Sequence, residues 1–326
     1  MSKILVTRKI PGVALIKLDG HEVVTWEFDR QMTPQEILEY GPSTDAVLTL
    51  LTDRWTGEMM DAFPKLKIIS NYAVGFDNID IKAATEKGIV VTNTTSDVVN
   101  EAVAEFTWAM IFALAKQIIS ADTFAKRGFY KGWQPNIFLG HNLTGKTLGI
   151  VGLGRIGTMV ALRAQGFGMK VLYYNRDRVQ DRERELGVEY REMDQLLSES
   201  DFVSLHVPLV DETRHLINAE KLGLAKHGSY LINTSRGGVV DEQALVEALK
   251  SGKLAGAALD VHENEPAMNP ELMQMENVIL TPHIASATVE VREKMTEQAV
   301  GAILKTLAGE MPETIVNKEV WPKRRM

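Results

Sequence analysis

The chain predicts an α/β protein made of two doubly wound parallel-sheet domains, and three observations carry that expectation. Short apolar runs alternate with stretches of helical periodicity along nearly the whole length, the pattern of strand–helix–strand crossovers. A glycine triplet, Gly152, Gly154 and Gly157, stands between apolar runs at 147–151 and 171–174, where a strand would turn into a helix. A length of 326 residues accommodates about two cores.

In the first domain, strands are expected at Lys3–Thr7, Glu22–Trp26, Ala46–Leu51, Leu66–Ser70 and Ile89–Thr92. Helices are expected at Pro34–Tyr40, Thr56–Phe63 and Ile79–Lys87, the last closed by Gly88 at the position a helix end favours. Residues 100–119 then read as one long helix with almost no polar face, which must be covered on all sides. It is a candidate bridge between domains and dimer element. Its uncharged apolar core, about eight residues, is too short to span a bilayer, so no membrane partner is expected. Residues 125–142, rich in Gly, aromatics and Pro, read as an extended loop with Trp133 as a packing anchor. The alternative is an aromatic arm reaching a neighbouring subunit.

The glycine motif opens the second domain. Further strands are expected at Asp201–Val207, Ser229–Thr234, Gly256–Val261 and Val278–Thr281, with helices at Met193–Ser198, Asp241–Ser251 and from Thr288 onward. A net charge of −7 argues against non-specific nucleic-acid binding, and the basic Lys323-Arg324-Arg325 tail reads as a solvated terminus. The absence of cysteine excludes disulfides and thiolate metal sites and fits a reducing cytosol; no metal site is expected. The N-terminus leads directly into a strand rather than a leader, so the expected location is cytoplasmic.

Each glycine of the triplet has its own task. Gly152 permits the tight turn, Gly154 lets the backbone approach a pyrophosphate, and Gly157 lets helix and strand pack closely. The helix start offers unpaired N–H groups and the positive end of its dipole. An NAD site usually carries an acid about twenty residues on, where a 2′-phosphate is instead met by Arg. Here Asn175 and Arg176 stand at that place and Asp177 arrives two positions late, so NADP(H) is preferred over NAD(H), with NAD(H) still possible.

Ligands of such sheets sit beyond the carboxyl ends of the strands, where Pro208, Arg236, Glu265 and His283 fall. The planar fork of Arg236 can bind a carboxylate and a neighbouring carbonyl together. His283 can give a proton to a nascent alkoxide near neutral pH, and the Glu265 carboxylate can favour and orient the imidazolium. Separately these are ordinary residues; beside a dinucleotide loop they make an acid–base site with an anion clamp, which hydride transfer would use.

Five segments in order resemble the D-isomer-specific 2-hydroxyacid dehydrogenases over essentially the full length: Asn71–Asp80, Gly149–Gly157, Asn233–Gly237, Leu259–Pro266 and Thr281–Ser286. Within that family the chain is most similar to the glyoxylate/hydroxypyruvate reductase branch. The resemblance implies a flavodoxin-like substrate domain, residues 1–98 plus 287–326, and a Rossmann dinucleotide-binding domain, residues 99–286, with hinges near 98 and 287 and a homodimer formed through the latter. It implies a small 2-oxo or 2-hydroxy acid as substrate, Arg236 polarising it, His283 as acid–base and Glu265 supporting His283. Leu51, Val74 and Gly75 would hold the substrate with Arg236 and His283. Gly152, Leu153, Gly154, Arg155, Ile156, Gly157, Asn175, Arg176, Asp177, Val207, Pro208, Thr213, Thr234, Ser235, Arg236, Asp260, His283 and Ser286 would line the cofactor.

Two departures stand out. His262 occupies a place where an aromatic is expected, and is a rival proton donor. With the chain ending at Met326, the C-terminal regulatory domain of many phosphoglycerate dehydrogenases is not expected. Formate dehydrogenases carry Gln where this chain has Glu265. Other 2-oxo acids (D-lactate, 2-ketogluconate or phosphoglycerate types) are the alternative substrates, and a dinucleotide-sensing binding module is the alternative class.

Overall fold

A computed structural model describes residues 1–326, which divide into unit 1, residues 1–99 with 287–326, and unit 2, residues 100–286. The strands are β1 Lys3–Val6, β2 Glu22–Thr25, β3 Ala46–Leu50, β4 Ile68–Tyr72, β5 Val90–Thr92, β6 Thr147–Val151, β7 Lys170–Tyr174, β8 Glu189–Tyr190, β9 Phe202–Leu205, β10 Ser229–Asn233, β11 Leu254–Leu259 and β12 Val278–Leu280. The helices are α1 Pro34–Glu39, α2 Gly57–Asp61, α3 Ile81–Glu86, α4 Asp97–Ala115, α5 Ile118–Lys126, α6 Arg155–Gly166, α7 Gln180–Leu186, α8 Met193–Glu199, α9 Ala219–Leu224, α10 Glu242–Lys250 and α11 Val289–Leu307.

Unit 1 is a five-stranded parallel sheet in the order β2-β1-β3-β4-β5, the flavodoxin-like arrangement. Its strands are nearly continuous apolar runs because helices cover both faces. One face packs on Trp55, Met60, Phe63 and Leu66. On the other, α11 is tied to β4: Ser70 Oγ donates to the Ala299 carbonyl at 3.0 Å and the Tyr72 hydroxyl to that of Arg292 at 2.8 Å.

Unit 2 is a seven-stranded parallel sheet in the order β12-β11-β10-β9-β6-β7-β8. This is the Rossmann order extended by one strand, and its topological switch point lies between β6 and β9. Separate apolar clusters fill its two faces, one around Trp108, Ile150 and Phe202, the other around Leu172, Leu231 and Leu245.

Four expectations are corrected. The single helix over 100–119 is two, because residue 117 turns left-handed (φ 53°) between α4 and α5. The cause is the returning chain: His141 N–H donates to the Ala115 carbonyl at 2.7 Å and Gln117 Nε2 to that of Leu139 at 2.7 Å, so Ala115 no longer serves the next helical turn. In consequence the loop after α5 begins at Arg127. Trp133 is no packing anchor, being 82% exposed, with Phe129, Tyr130 and Leu139 also exposed around it. The basic tail is docked rather than solvated: Arg325 donates from its amide to the Gly88 carbonyl and from its guanidinium to that of Phe63, both at 2.8 Å, while Arg324 lies 3.8 Å over the Trp321 ring. Helix α4 has by length and composition what a membrane span needs, yet 61% of its apolar window is buried inside the protein.

Candidate active site

The glycine loop follows β6 at the switch point of unit 2. Gly152 adopts φ 101°, and a Cβ there would lie 2.6 Å from the His206 carbonyl oxygen at the end of β9. A Cβ on Gly157 would lie 2.1 Å from the Gly152 carbonyl oxygen, so only glycine lets α6 seat against β6. Gly154 differs, with nothing within 4 Å of its Cβ position. That open face borders the start of α6, Arg155–Gly166, which no side chain caps, so Ile156 and its neighbours present N–H groups outward. The loop fits a pyrophosphate: two glycines close the backbone and the third leaves room.

Where an acid would meet the ribose, Asn175 turns inward and its Oδ1 accepts the Leu153 N–H at 2.7 Å. Arg176 and Asp177 pair only with each other, at 3.2 Å, with side chains 93% and 84% exposed. After β9, Val207 packs against the Gly152 turn, and Thr213 closes the next loop by donating to the Pro208 carbonyl at 2.6 Å and accepting the Val210 N–H at 2.9 Å.

After β10, the buried Asn233 organises the chain. Its Oδ1 accepts the Ser235 amide at 3.0 Å and hydroxyl at 2.8 Å, and its Nδ2 donates to the Arg236 carbonyl at 2.9 Å. Thr234 is held from α4 by the Thr107 hydroxyl, 2.9 Å away. Arg236 is half-buried and donates from Nη1 to the Ser235 carbonyl at 2.7 Å. A Cβ on Gly237 would strike the His262 carbonyl oxygen at 2.0 Å, so glycine here brings the Arg236 loop against the loop carrying Glu265.

The buried Asp260 closes β11. Its carboxylate accepts the Thr281 hydroxyl at 2.6 Å and the Ile284 and Ala285 amides at 2.8 Å, and its carbonyl accepts the His283 N–H at 2.8 Å. Partly buried Ser286 ends the same loop. His283 is thereby held at φ 55°, a left-handed conformation rare for a side-chain-bearing residue. Its Nδ1 lies 3.0 Å from Glu265 Oε2, while Glu265 Oε1 accepts the His262 N–H at 2.9 Å. Burial would raise the Glu265 pKa, but the hydrogen bond and charge of His283, with the His262 amide, hold it below the ordinary carboxylate value.

His262 is turned away from such chemistry. Its Nε2 is committed to the Thr281 carbonyl at 3.0 Å, which fixes the proton there, and its Nδ1 is buried without a partner. His206, also near the loop, is pushed down to about 3 by burial and stays neutral at physiological pH. Glu265 and His283 are thus in direct contact, with Arg236 on the abutting loop.

In unit 1 the residues expected to hold substrate lie on loops after β3 and β4. Asn93 Nδ2 donates to the Val74 carbonyl at 2.7 Å and Asn71 Nδ2 to that of Gly75 at 2.9 Å. Asn78 Nδ2 bridges to the Leu50 carbonyl at 3.1 Å and that of Asp53 at 3.0 Å, bracketing Leu51. The buried Asp53 accepts the Thr7 and Thr49 hydroxyls at 2.5 and 2.9 Å and the Leu50 amide at 3.0 Å. These Asn and Asp side chains were not singled out in the sequence, although Asn71 and Asn78 lie inside the segment that carried the resemblance.

Fold, cradle and acid–base pair together define a dinucleotide-dependent oxidoreductase of the two-unit α/β kind. Residues 108–285 match the family model described as D-isomer specific 2-hydroxyacid dehydrogenase, NAD binding domain, and the chain belongs to that family. It is 47% identical to a glyoxylate reductase from Thermococcus kodakarensis, over 99% of this chain and 98% of the relative. Among solved structures it resembles the NADPH-dependent glyoxylate/hydroxypyruvate reductase from Sinorhizobium meliloti in complex with NADP and malonate (33% identity, TM-score 0.87, covering 100% and 99% of the two chains). It also resembles a D-lactate dehydrogenase from Aquifex aeolicus complexed with NAD and lactic acid (33%, TM-score 0.85, covering 97% and 99%).

Proposed function

We propose that this chain reduces glyoxylate or hydroxypyruvate to glycolate or D-glycerate, with NADP(H) preferred over NAD(H). The carrying observation is the His283–Glu265 pair at 3.0 Å on a loop that abuts the one bearing Arg236. When bound, the reduced nicotinamide supplies a hydride to C2 of the 2-oxo acid. Arg236 holds the 2-oxo acid and stabilises the negative charge growing on its carbonyl oxygen. Because Nδ1 of His283 faces Glu265, Nε2 is the atom that gives its proton to that oxygen. The Glu265 carboxylate steadies the imidazolium before transfer and orients the ring throughout.

The glycine loop with Arg155 and Ile156 at the start of α6 is assigned to the pyrophosphate. Val207, Pro208 and Thr213, with Thr234, Ser235, Asp260 and Ser286, are assigned to the nicotinamide half, several of them through the backbone they hold. Leu51 and the Val74 and Gly75 amides, whose carbonyls are tied back by Asn side chains, are assigned to the substrate carboxylate. NADP(H) is favoured by Asn175 and the exposed Arg176, and the Sinorhizobium relative named for NADPH is consistent with it.

Exposed Phe129, Tyr130, Trp133 and Leu139 on unit 2 support a homodimer through that unit, which sedimentation of the Trp133→Ser variant against wild type would test. A cytoplasmic location accords with the lack of cysteine. The function is tested by initial rates of NADPH and NADH oxidation with glyoxylate, hydroxypyruvate, pyruvate and a bulkier 2-oxo acid. Dominance of either small acid with NADPH is expected. A faster rate with the bulky acid and NADH would displace both the substrate and cofactor assignments, and no turnover at all would favour a dinucleotide-sensing module.

A further inference from the structure

Helix α7 carries a cation whose position the alternation of strands and helices does not announce. Arg182 lies across the glycine loop: its Nη1 donates to the Leu153 carbonyl at 2.6 Å, to the Gly154 carbonyl at 3.3 Å and to Thr158 Oγ1 at 2.9 Å. Asn175 takes the N–H of that same Leu153 at 2.7 Å. The residue at the tip of the loop is therefore gripped on both sides, its N–H by the residue where a ribose-binding acid would stand and its C=O by an arginine.

The neighbouring cations are not equivalent. Arg178 is bound two-pronged to Glu183 at 2.6 and 2.7 Å and lies 5.4 Å over the Tyr190 ring. Glu183, held down to about 2 by Arg178 and then by the Tyr173 hydroxyl, neutralises it. Arg182 has no carboxylate partner, and its Nε and Nη2 donate to no protein group. A guanidinium with unused donors, fixed one peptide unit from Asn175, is what a phosphate dianion on the adenosine ribose requires.

Resting on the NADP(H) reading above, we infer that Arg182 is a specificity-determining residue of the cofactor site, contacting the 2′-phosphate while its Nη1 pins Leu153. Arg176, exposed and paired only with Asp177, is the second and looser contact.

The test needs no 2-oxo acid. Dissociation constants of 2′,5′-ADP and 5′-AMP are measured by calorimetry on wild type, Arg182→Met and Arg182→Lys. The Met variant, similar in length but without donors, is expected to weaken 2′,5′-ADP by at least about tenfold and leave 5′-AMP within about twofold, with Lys recovering part of the loss. Equal loss of both probes would show a loop clamp with no part in discrimination and overturn the inference, as would unchanged 2′,5′-ADP binding. A wild type that held the two probes equally would overturn the NADP(H) reading, and this inference with it.

Discussion

Unit 1 and unit 2 each bury an aspartate just beyond an interior strand of the sheet and use it in the same way. Asp53 collects two hydroxyls and the Leu50 amide at 2.5–3.0 Å, fixing the turn that displays Leu51. Asp260 collects a hydroxyl and two amides at 2.6–2.8 Å, fixing the turn that displays His283. The two differ in what they hold. The Asp53 turn is further braced by Asn78 from the next loop, so its backbone is relaxed and doubly supported. The Asp260 turn is held against a left-handed His283, so the acid there opposes strain. A buried carboxylate is thus a loop-forming device in both units, but only in unit 2 does it maintain a conformation the chain would otherwise leave.

This contrast can be broken by experiment. His283→Ala sets the scale: turnover should fall about 10²- to 10⁴-fold with the circular dichroism spectrum unchanged, since a general acid is worth that much. Near-normal turnover would remove His283 from the chemistry and leave its strain without a purpose. Arg236→Ala should raise KM by about tenfold or more and also lower turnover, because on the proposed reading it deletes a charged partner both of the bound substrate and of the oxygen that becomes negative. Asp260→Asn keeps the shape but sets an amide donor against backbone N–H groups. Turnover should drop about tenfold with KM little changed, as His283 drifts from its place. Asp53→Asn should do the converse, raising KM for the 2-oxo acid severalfold while sparing turnover; an exchange of the two signatures would end the analogy between the turns.

The smallest effect is one of pH. The Glu265 pKa is depressed in the folded chain, so its contribution to stability is present above the ordinary carboxylate value and is lost as pH falls through the depressed one. Denaturant unfolding of wild type and Glu265→Gln should therefore differ near neutrality and converge in acid. A gap that widened in acid would reverse the sign.

What could be read beforehand was local. The three glycines act within a few residues of themselves, and the structure gives each its separate reason: a left-handed turn, an open face, a close backbone contact. That both sheets are parallel follows from the alternation of apolar runs with helical stretches. What escaped depended on packing across long sequence separations. Arg182 meets Leu153 across 29 residues, and nothing in a short polar helix announces which side chain faces the loop. The break at residue 117 is imposed by the chain returning at 138–141, and the tail docks because carbonyls at Phe63 and Gly88 lie within its reach. Asp53 escaped because an acid after a strand reads as a solvated turn until the hydroxyls around it are placed, and Asp260, expected only to line the cofactor, holds the His283 loop through contacts that reach 21 to 25 residues along the chain.

The left-handed His283 carries one more consequence, for directed evolution. Glycine adopts φ 55° without penalty, asparagine and histidine at a smaller cost than alanine or a β-branched residue. In a Glu265→Gln background, where the ion pair no longer counts, a library at position 283 ranked by melting temperature should therefore place Gly above the native residue, while a library in the native background ranked by growth on the reaction should retain His alone. Disagreement between those two rankings at a single codon would mark the residue as selected for chemistry at the expense of folding, and the melting half of that signature can be collected before any substrate is known.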